Sequence, residues 1–471
     1  MKNIHTPHIN ILLVISKKIL RILLLFTISL LWIVNPHASA SEISADQVAD
    51  PQNRAHLKTN QTIDNRKLSI TFEELKTQFS QFELAPPQLD FSEFYKQQLN
   101  SAMTEKSETI SKFQRSLSGF SSENICESIA ASEMSIAADL AIQRESLLAS
   151  SINSDFKFKG SFYKLENGKQ WYLHWLKSWL LSDIKINELE KIALMELSQI
   201  DRLRDKIKQR KRPPNTHVYL AKEKDKIISA LRNREKIVNQ NLKSSFGYST
   251  PLQYLHIVES DLPKSFPAPG IYNSATQEFI YHLQTDQLPE RYLDWLFLHE
   301  GLPGHHFQSQ IAIHHPLCKA YGSVFQSSVF AEGWAAYVET IGEELGLYTD
   351  SSSELYALDW RALRALRVLL DIGIHFHGWS DDKARQVWMR YIPEQEPIMA
   401  REIQRIHNWP VQVITYVYGK HRVEESIKRL QQKGIPLTKI RNSILSLSNY
   451  SLNALDHLES VLLAQDKLMK K

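Results

Sequence analysis

The sequence predicts a mostly α fold: one large helical domain with a small β element. Three observations predict it. From Leu68 onward, apolar residues recur mainly at spacings of three and four, the helical period. One stretch, 246–286, breaks that pattern with Pro251, Pro263, Pro267, Pro269 and Gly270 followed by alternating apolar residues. The 471 residues are 43% apolar and 23% charged, enough for a large core and unlike a disordered chain.

The first 40 residues read as a cleavable export signal. Lys17, Lys18 and Arg21 form a basic start, and Ile22 to Val34 is an apolar run of 13 residues. Asn35 and Pro36 end it, and Ala38-Ser39-Ala40 offers a small-x-small cleavage site. The run is shorter than the ~20 residues a membrane span needs, although an uncleaved anchor is the alternative. No Cys follows it, so lipid attachment is not indicated. The expectation is a periplasmic or secreted protein with no stable membrane insertion after cleavage. The formal charge of +4 resides in Lys2, Lys17, Lys18 and Arg21. The mature chain is near neutral, without a basic footprint for nucleic acid.

Residues 41–66 form a polar lead-in, and 67–471 the single domain, with an N-terminal helical part at 67–250 and a metal-site part at 251–471. Trp171, Trp175, Leu176, Trp179 and Leu180 make one apolar helical stripe. Ser182 and Asp183 offer caps for a second helix running to about Arg210, stopped by Pro213-Pro214. GIYNSATQEFIYHL reads as a short hairpin, with Ile271, Phe279 and Tyr281 on strands and a turn at Asn273-Ser274. After Pro289 the chain is helical again. Cys126 and Cys318 allow one disulfide in an oxidising compartment or two buried free thiols, and neither has a CxxC partner.

The chemistry concentrates in HEGLPGHHFQ. Leu293 to Leu298 is almost wholly apolar, so its helix is buried and runs straight into His299-Glu300. A buried His-Glu pair demands partners or a metal. The familiar H-E-x-x-H zinc motif places its second His at i+4, but that position is Pro303. His305, at i+6, lies about 120° round an unbroken helix from His299, so a kink at Pro303-Gly304 must bring it back. His306, at i+7, shares the face without a kink but about 10 Å along the axis. A third ligand is sought elsewhere. Glu332 is the only charge between Val329 and Val338, and a carboxylate in so apolar a helix needs a strong partner. Glu339, seven residues on, can accept a hydrogen bond from a ligand histidine.

HEGLPGHHFQ followed by AEGWAAYVE resembles the bacterial domain-of-unknown-function family 885, helical proteins with an HExxPGHH-type metallopeptidase signature. The likeness extends over about 165–430. It takes in WYLHWLKSWLLSDIKINELEKIALMEL, RALRVLLDIGIHFHGWS and EIQRIHNWPVQVITYVYGK. The resemblance implies His299, His305 and Glu332 as metal ligands and Glu300 as catalytic base. Two departures bear on substrate contacts: Pro410-Val411-Gln412 where relatives tend to have Pro-Gly-Gln, and Ile406 after Arg405 where they have an aromatic.

Arg367, Asp371 and His375 fall at i, i+4 and i+8 on one helix face, so Asp371 is expected to fix the ring of His375 as an oxyanion donor. Tyr416 is a second candidate donor. Arg401, Arg405 and Gln412 are candidate substrate-binding residues, the arginines for a peptide carboxylate. The expected activity is zinc-dependent hydrolysis of a peptide or related amide, with one Zn²⁺ activating water and Glu300 as general base. Iron suits the same ligands. The alternatives are a non-catalytic exported metal- or peptide-binding protein, or a hydrolase of cell-wall amides.

Overall fold

The computed structural model describes residues 70–80, 90–100, 106–150, 158–248, 253–314, 317–318, 327–448 and 450–469. The expected signal segment, its cleavage site and the polar lead-in lie outside the described residues. Among the described residues the fold is mostly α, with a few short strands. None of the helices there is long and apolar enough to cross a membrane.

The N-terminal helices are α1 (Phe72–Phe79), α2 (Phe91–Asn100), α3 (Lys106–Ser118) and α4 (Ile125–Ser150). Phe72, Leu75, Ile110, Phe113, Ala130 and Met134 close a small separate core between α1, α3 and α4. Ile129 and Leu148 of α4 join the main core instead. That double duty explains why α4 is apolar on more than one face. The tryptophan stripe forms α5 (Gly168–Leu180), whose Trp171 and Trp175 pack edge-on against Phe91 at 5.5 and 5.1 Å. Helix α6 (Ile186–Arg210) begins later than its expected caps. Lys185 donates its N–H to Glu188, while Asp183 pairs with Lys177 at 2.8 Å.

Strand β1 (Val218–Leu220), helix α7 (Lys224–Phe246) and strands β2 (His256–Glu259), β3 (Gly270–Asn273), β4 (Glu278–Tyr281) and β5 (Gln287–Pro289) follow. The predicted hairpin is β3–β4, antiparallel with Tyr272 opposite Phe279, and β2 adds to β4 in parallel. β1 and β5 form a separate antiparallel pair. Pro289 ends β5 and precedes a single 3₁₀ turn, so the next helix opens at Leu293.

The rest of the chain is α8 (Leu293–Glu300), α9 (His305–His314), α10 (Ser328–Val338), α11 (Ser351–His375), α12 (Asp381–Tyr391), α13 (Glu396–Asn408), α14 (Thr415–Gln431), α15 (Leu437–Ser446) and α16 (Leu458–Met469). All eight residues of α8 are buried, as its apolar run requires. Helix α11 is the axis of the domain: every residue from Arg361 to His375 is buried, charged ones included. Helices α10 and α14 cross backbone to backbone at Gly333 and Gly419. A Cβ on Gly333 would stand 2.4 Å from the Gly419 carbonyl carbon, and one on Gly419 2.2 Å from the Val329 oxygen. Only glycine fits there, and the close crossing carries Glu332 and Tyr416 into one neighbourhood.

Cys126, at the start of α4, is bonded to Cys318, which lies between α9 and α10. This settles the cysteines as a disulfide across a sequence separation of 192. A cross-link over so long a loop stabilises chiefly by restricting the unfolded chain. Replacing both cysteines by serine should lower stability by about 2–5 kcal/mol, read as a drop in Tm. Thiol titration of the denatured wild type before reduction should find no free thiol. An unchanged Tm in the double variant would contradict this role.

Candidate metal centre

The candidate centre starts where α8 ends. At Glu300 the helix stops outright instead of kinking, and α9 begins at His305 after a tight turn containing a cis Leu302–Pro303 bond. Gly304 folds back onto the end of α8: a Cβ there would lie 2.0 Å from the His299 oxygen and 2.3 Å from the Leu298 oxygen. The break does what the spacing alone cannot. It brings the His299 and His305 rings to 4.8 Å between centroids.

Across from them, Glu332 presents Oε2 at 3.4 Å from His299 Nε2 and 3.7 Å from His305 Nε2. Atoms sharing one tetrahedral zinc at about 2.1 Å stand about 3.4 Å apart. That oxygen is buried and has no hydrogen-bond partner. A buried, unbonded carboxylate oxygen facing two imidazole nitrogens is an arrangement that a bound cation would satisfy. Two nitrogens and one oxygen are also an established catalytic zinc set, so these residues fit the metal. Glu300 is grouped with the two histidines, their ligand atoms lying within 4.8 Å of one another. No arginine ion-pairs with Glu332 among the described residues.

The surroundings orient this set. His299 Nδ1 bonds Glu339 Oε1 at 2.6 Å, which leaves Nε2 facing the centre. Glu339 is in turn held by Arg364 Nη1, 2.6 Å from each carboxylate oxygen. Burial opposes charge on Glu339, but the Arg364 guanidinium and His299 hold its carboxyl below the usual range. Burial also opposes charge on His299, yet Glu332 and Glu339 push it up to about 9. Glu332 is likewise disfavoured by burial and held well below the carboxylate range by the two imidazoles. Glu300 goes the other way, raised by burial against the pull of the histidines.

Tyr416 reaches the centre, its ring stacked on His299 at 6.3 Å between centroids. Its hydroxyl accepts from Gln412 Nε2 at 3.5 Å, leaving its own proton to donate. Burial and the Glu332 carboxylate hold that phenol above its ordinary value. Gln412 Oε1 accepts from Arg405 Nη2 at 2.9 Å. Arg401 turns to Glu402 instead, at 3.2 Å.

One open choice is narrowed and one expectation is corrected. His306 faces away from the centre, bonded at 3.1 Å both to the Tyr272 hydroxyl and to the Gln253 carbonyl, so His305 is the histidine beside His299. His375 is not an oxyanion donor. It is fully buried, and both ring nitrogens are occupied by backbone: the Phe162 N–H donates to Nδ1 at 3.4 Å, and Nε2 bonds the Ile406 oxygen at 3.1 Å. Asp371 does not touch it. Its oxygens accept from the Tyr172 hydroxyl and the Val411 N–H, both at 2.8 Å, and Arg367 pairs with Glu402. Sharing a helix face does not make residues partners when other helices cover that face. The sequence reading also missed Arg364 and Glu402. Their only signal is the arginine spacing in RALRALR and a lone acid in a basic stretch.

Burial holds the His375 ring down to about 3. Below about pH 6.5 the unfolded chain takes a proton that the folded one refuses, so this residue costs stability as pH falls from about 6.5 towards 3. His375→Leu strands two backbone groups and should cost about 2–4 kcal/mol at pH 7. The Tm gap from wild type should narrow at pH 4, where only wild type bears the proton penalty. A gap that widens in acid would contradict the neutral, structural histidine.

Two solved structures share the fold. One is a "putative lipoprotein" from Colwellia psychrerythraea, with a TM-score of 0.56 and 18% identity over 83% of this chain and 70% of that one. The other is a "putative lipoprotein of unknown function" from Shewanella oneidensis, with a TM-score of 0.50 and 18% identity over 82% of this chain and 86% of that one. No curated protein matches the chain. The family described as bacterial protein of unknown function (DUF885) matches residues 54–441, most of the length and all of the candidate centre, and the chain belongs to that family.

Proposed function

We propose that the protein is an exported zinc-dependent hydrolase of peptide or related amide bonds, with His299, His305 and Glu332 as the metal ligands. The observation that carries this reading is Glu300. A structural metal site needs three or four ligands and nothing more, whereas here a further buried carboxylate adjoins the set. Among the described residues no hydrogen bond or ion pair ties it down. A carboxylate so placed suits a general base.

A bound Zn²⁺ would supply Lewis acidity, polarising the scissile carbonyl and acidifying water. The chain supplies the rest. Glu300 accepts a proton from the attacking water and returns it to the departing amine. Tyr416 donates its hydroxyl proton toward the oxygen that gains charge. Glu339 and Arg364 keep the His299 ring in one orientation and one tautomer. The disulfide supports an oxidising compartment, as does the N-terminal basic-apolar-small pattern. Each of the two structural neighbours is described as a "putative lipoprotein". In this chain both cysteines are joined to each other, so a lipid anchor on cysteine is not part of the proposal.

His299→Ala, His305→Ala and Glu332→Ala should each strip zinc from the purified protein, measured by elemental analysis, while His306→Ala should retain about one zinc per chain. Depletion in His306→Ala with retention in His305→Ala would reverse the ligand assignment.

Glu300→Gln keeps the shape of the side chain and removes its basicity. It should fold and hold zinc, while turnover of a peptide library falls by roughly 10²–10⁴. Zinc-loaded wild type that cleaves neither peptides nor muropeptides would leave a binding protein as the better reading.

A further inference from the structure

Three guanidiniums gather on the Tyr416 side of the centre, with a single carboxylate among them. Glu402 takes two: Arg367 at 2.5 Å through one oxygen and Arg401 at 3.2 Å through the other. Arg405 is the third. It is half-buried, its Nε is buried without a partner, and its one hydrogen bond goes to the neutral Gln412. Among the described residues no carboxylate ion-pairs with it. Glu402, already paired with two guanidiniums, feels Arg405 only through the field, and the Trp409 ring lies 5.6 Å under the Arg405 guanidinium, so a partly desolvated cation without a directly bonded carboxylate is favoured by an anion that arrives to meet it. Its position says where that anion would sit. Arg405 bonds Gln412, Gln412 bonds Tyr416, and Tyr416 stacks on the ligand His299.

We propose that Arg405, oriented by Gln412, binds the C-terminal carboxylate of the substrate, so that the protein cuts one or two residues from the C-terminal end of a peptide. The step rests on the hydrolase reading above. With the carboxylate at Arg405, the chain runs past Gln412 to place a carbonyl at Tyr416 and the metal ligands. The two hydrogen bonds of that path, 2.9 and 3.5 Å, with one amide between them, suit a short C-terminal stretch of extended chain at about 3.4 Å per residue. Guanidinium recognises carboxylate through paired N–H donors, and a neutral amide cap loses that charge-assisted bond. Arg401, already committed to Glu402, sets the field and does not make the contact.

The test compares an N-acylated tripeptide bearing a free C-terminal carboxylate with its C-terminal amide. Turnover is measured on zinc-loaded wild type. Calorimetric binding is measured on zinc-loaded Glu300→Gln, alone and combined with Arg405→Gln. The free acid should be preferred by at least about 30-fold in both readouts, the lower end for removing one partner of a buried charge pair. Arg405→Gln should bring acid binding down to the level of the amide. Should that variant unfold, Gln412→Glu keeps the arginine and neutralises it in place, and it should abolish the preference in the same way. Equal turnover and equal binding of acid and amide would overturn the carboxylate subsite and leave the hydrolase standing. Acid-selective binding with no turnover of either peptide would do the reverse.

Discussion

Charge buried in a helical interior has to be matched at short range, and the most demanding case is Glu339. It has no exposed side-chain surface, and both oxygens lie 2.6 Å from Arg364 Nη1 while one also takes His299 Nδ1. Arg364 sits in turn between the rings of Trp295, Trp360 and Tyr416, at 5.5, 5.8 and 4.6 Å. Helices α8, α10, α11 and α14 are thereby referred to one carboxylate. Removing it would leave an uncompensated guanidinium in an apolar interior and a histidine without its orienting partner. The His299 ring that this arrangement orients faces Glu332 Oε2 at 3.4 Å.

The same constraint governs the rest of α11. Arg361 meets Glu196 at 2.8 Å, and Glu196 also takes Lys420 from α14 at 3.1 Å. Arg367 meets Glu402 of α13. The three buried arginines Arg361, Arg364 and Arg367 are each answered from a different part of the chain, by Glu196, Glu339 and Glu402, so the pairings fix how those elements sit around α11. Apolar packing alone is less directional. Such pairs add little net stability, but any misplacement leaves a buried charge exposed to no partner, which favours a single arrangement.

This explains what the sequence disclosed and what it hid. The buried character of α8, the hairpin at 270–281 and the grouping of His299, Glu300 and Glu332 were legible because each rests on local period or on a charge isolated in apolar surroundings. The need for a break between His299 and His305 was legible from Pro303 and Gly304, since neither continues a helix well. The fates of Asp371 and His375 were not. Their partners, Tyr172, Val411, Phe162 and Ile406, stand 31 to 213 positions away in the chain. Periodicity within α11 shows which residues share a face and nothing about which helix will cover it. The disulfide was undecided for the same reason: two cysteines 192 residues apart carry no local signal of pairing.

That covalent link also changes what a cut in the chain would mean. His299, Glu300 and His305 lie inside the loop closed by Cys126 and Cys318, whereas Glu332, Tyr416 and Arg405 lie outside it. A protease that nicks a surface turn anywhere within the loop severs the polypeptide but not the molecule. Where the nick falls between His305 and Cys318, the fragments bearing the histidines and Glu332 stay tethered through the disulfide, and reassembly remains an intramolecular event. The closed loop turns one such peptide-bond scission from loss of the centre into a scar.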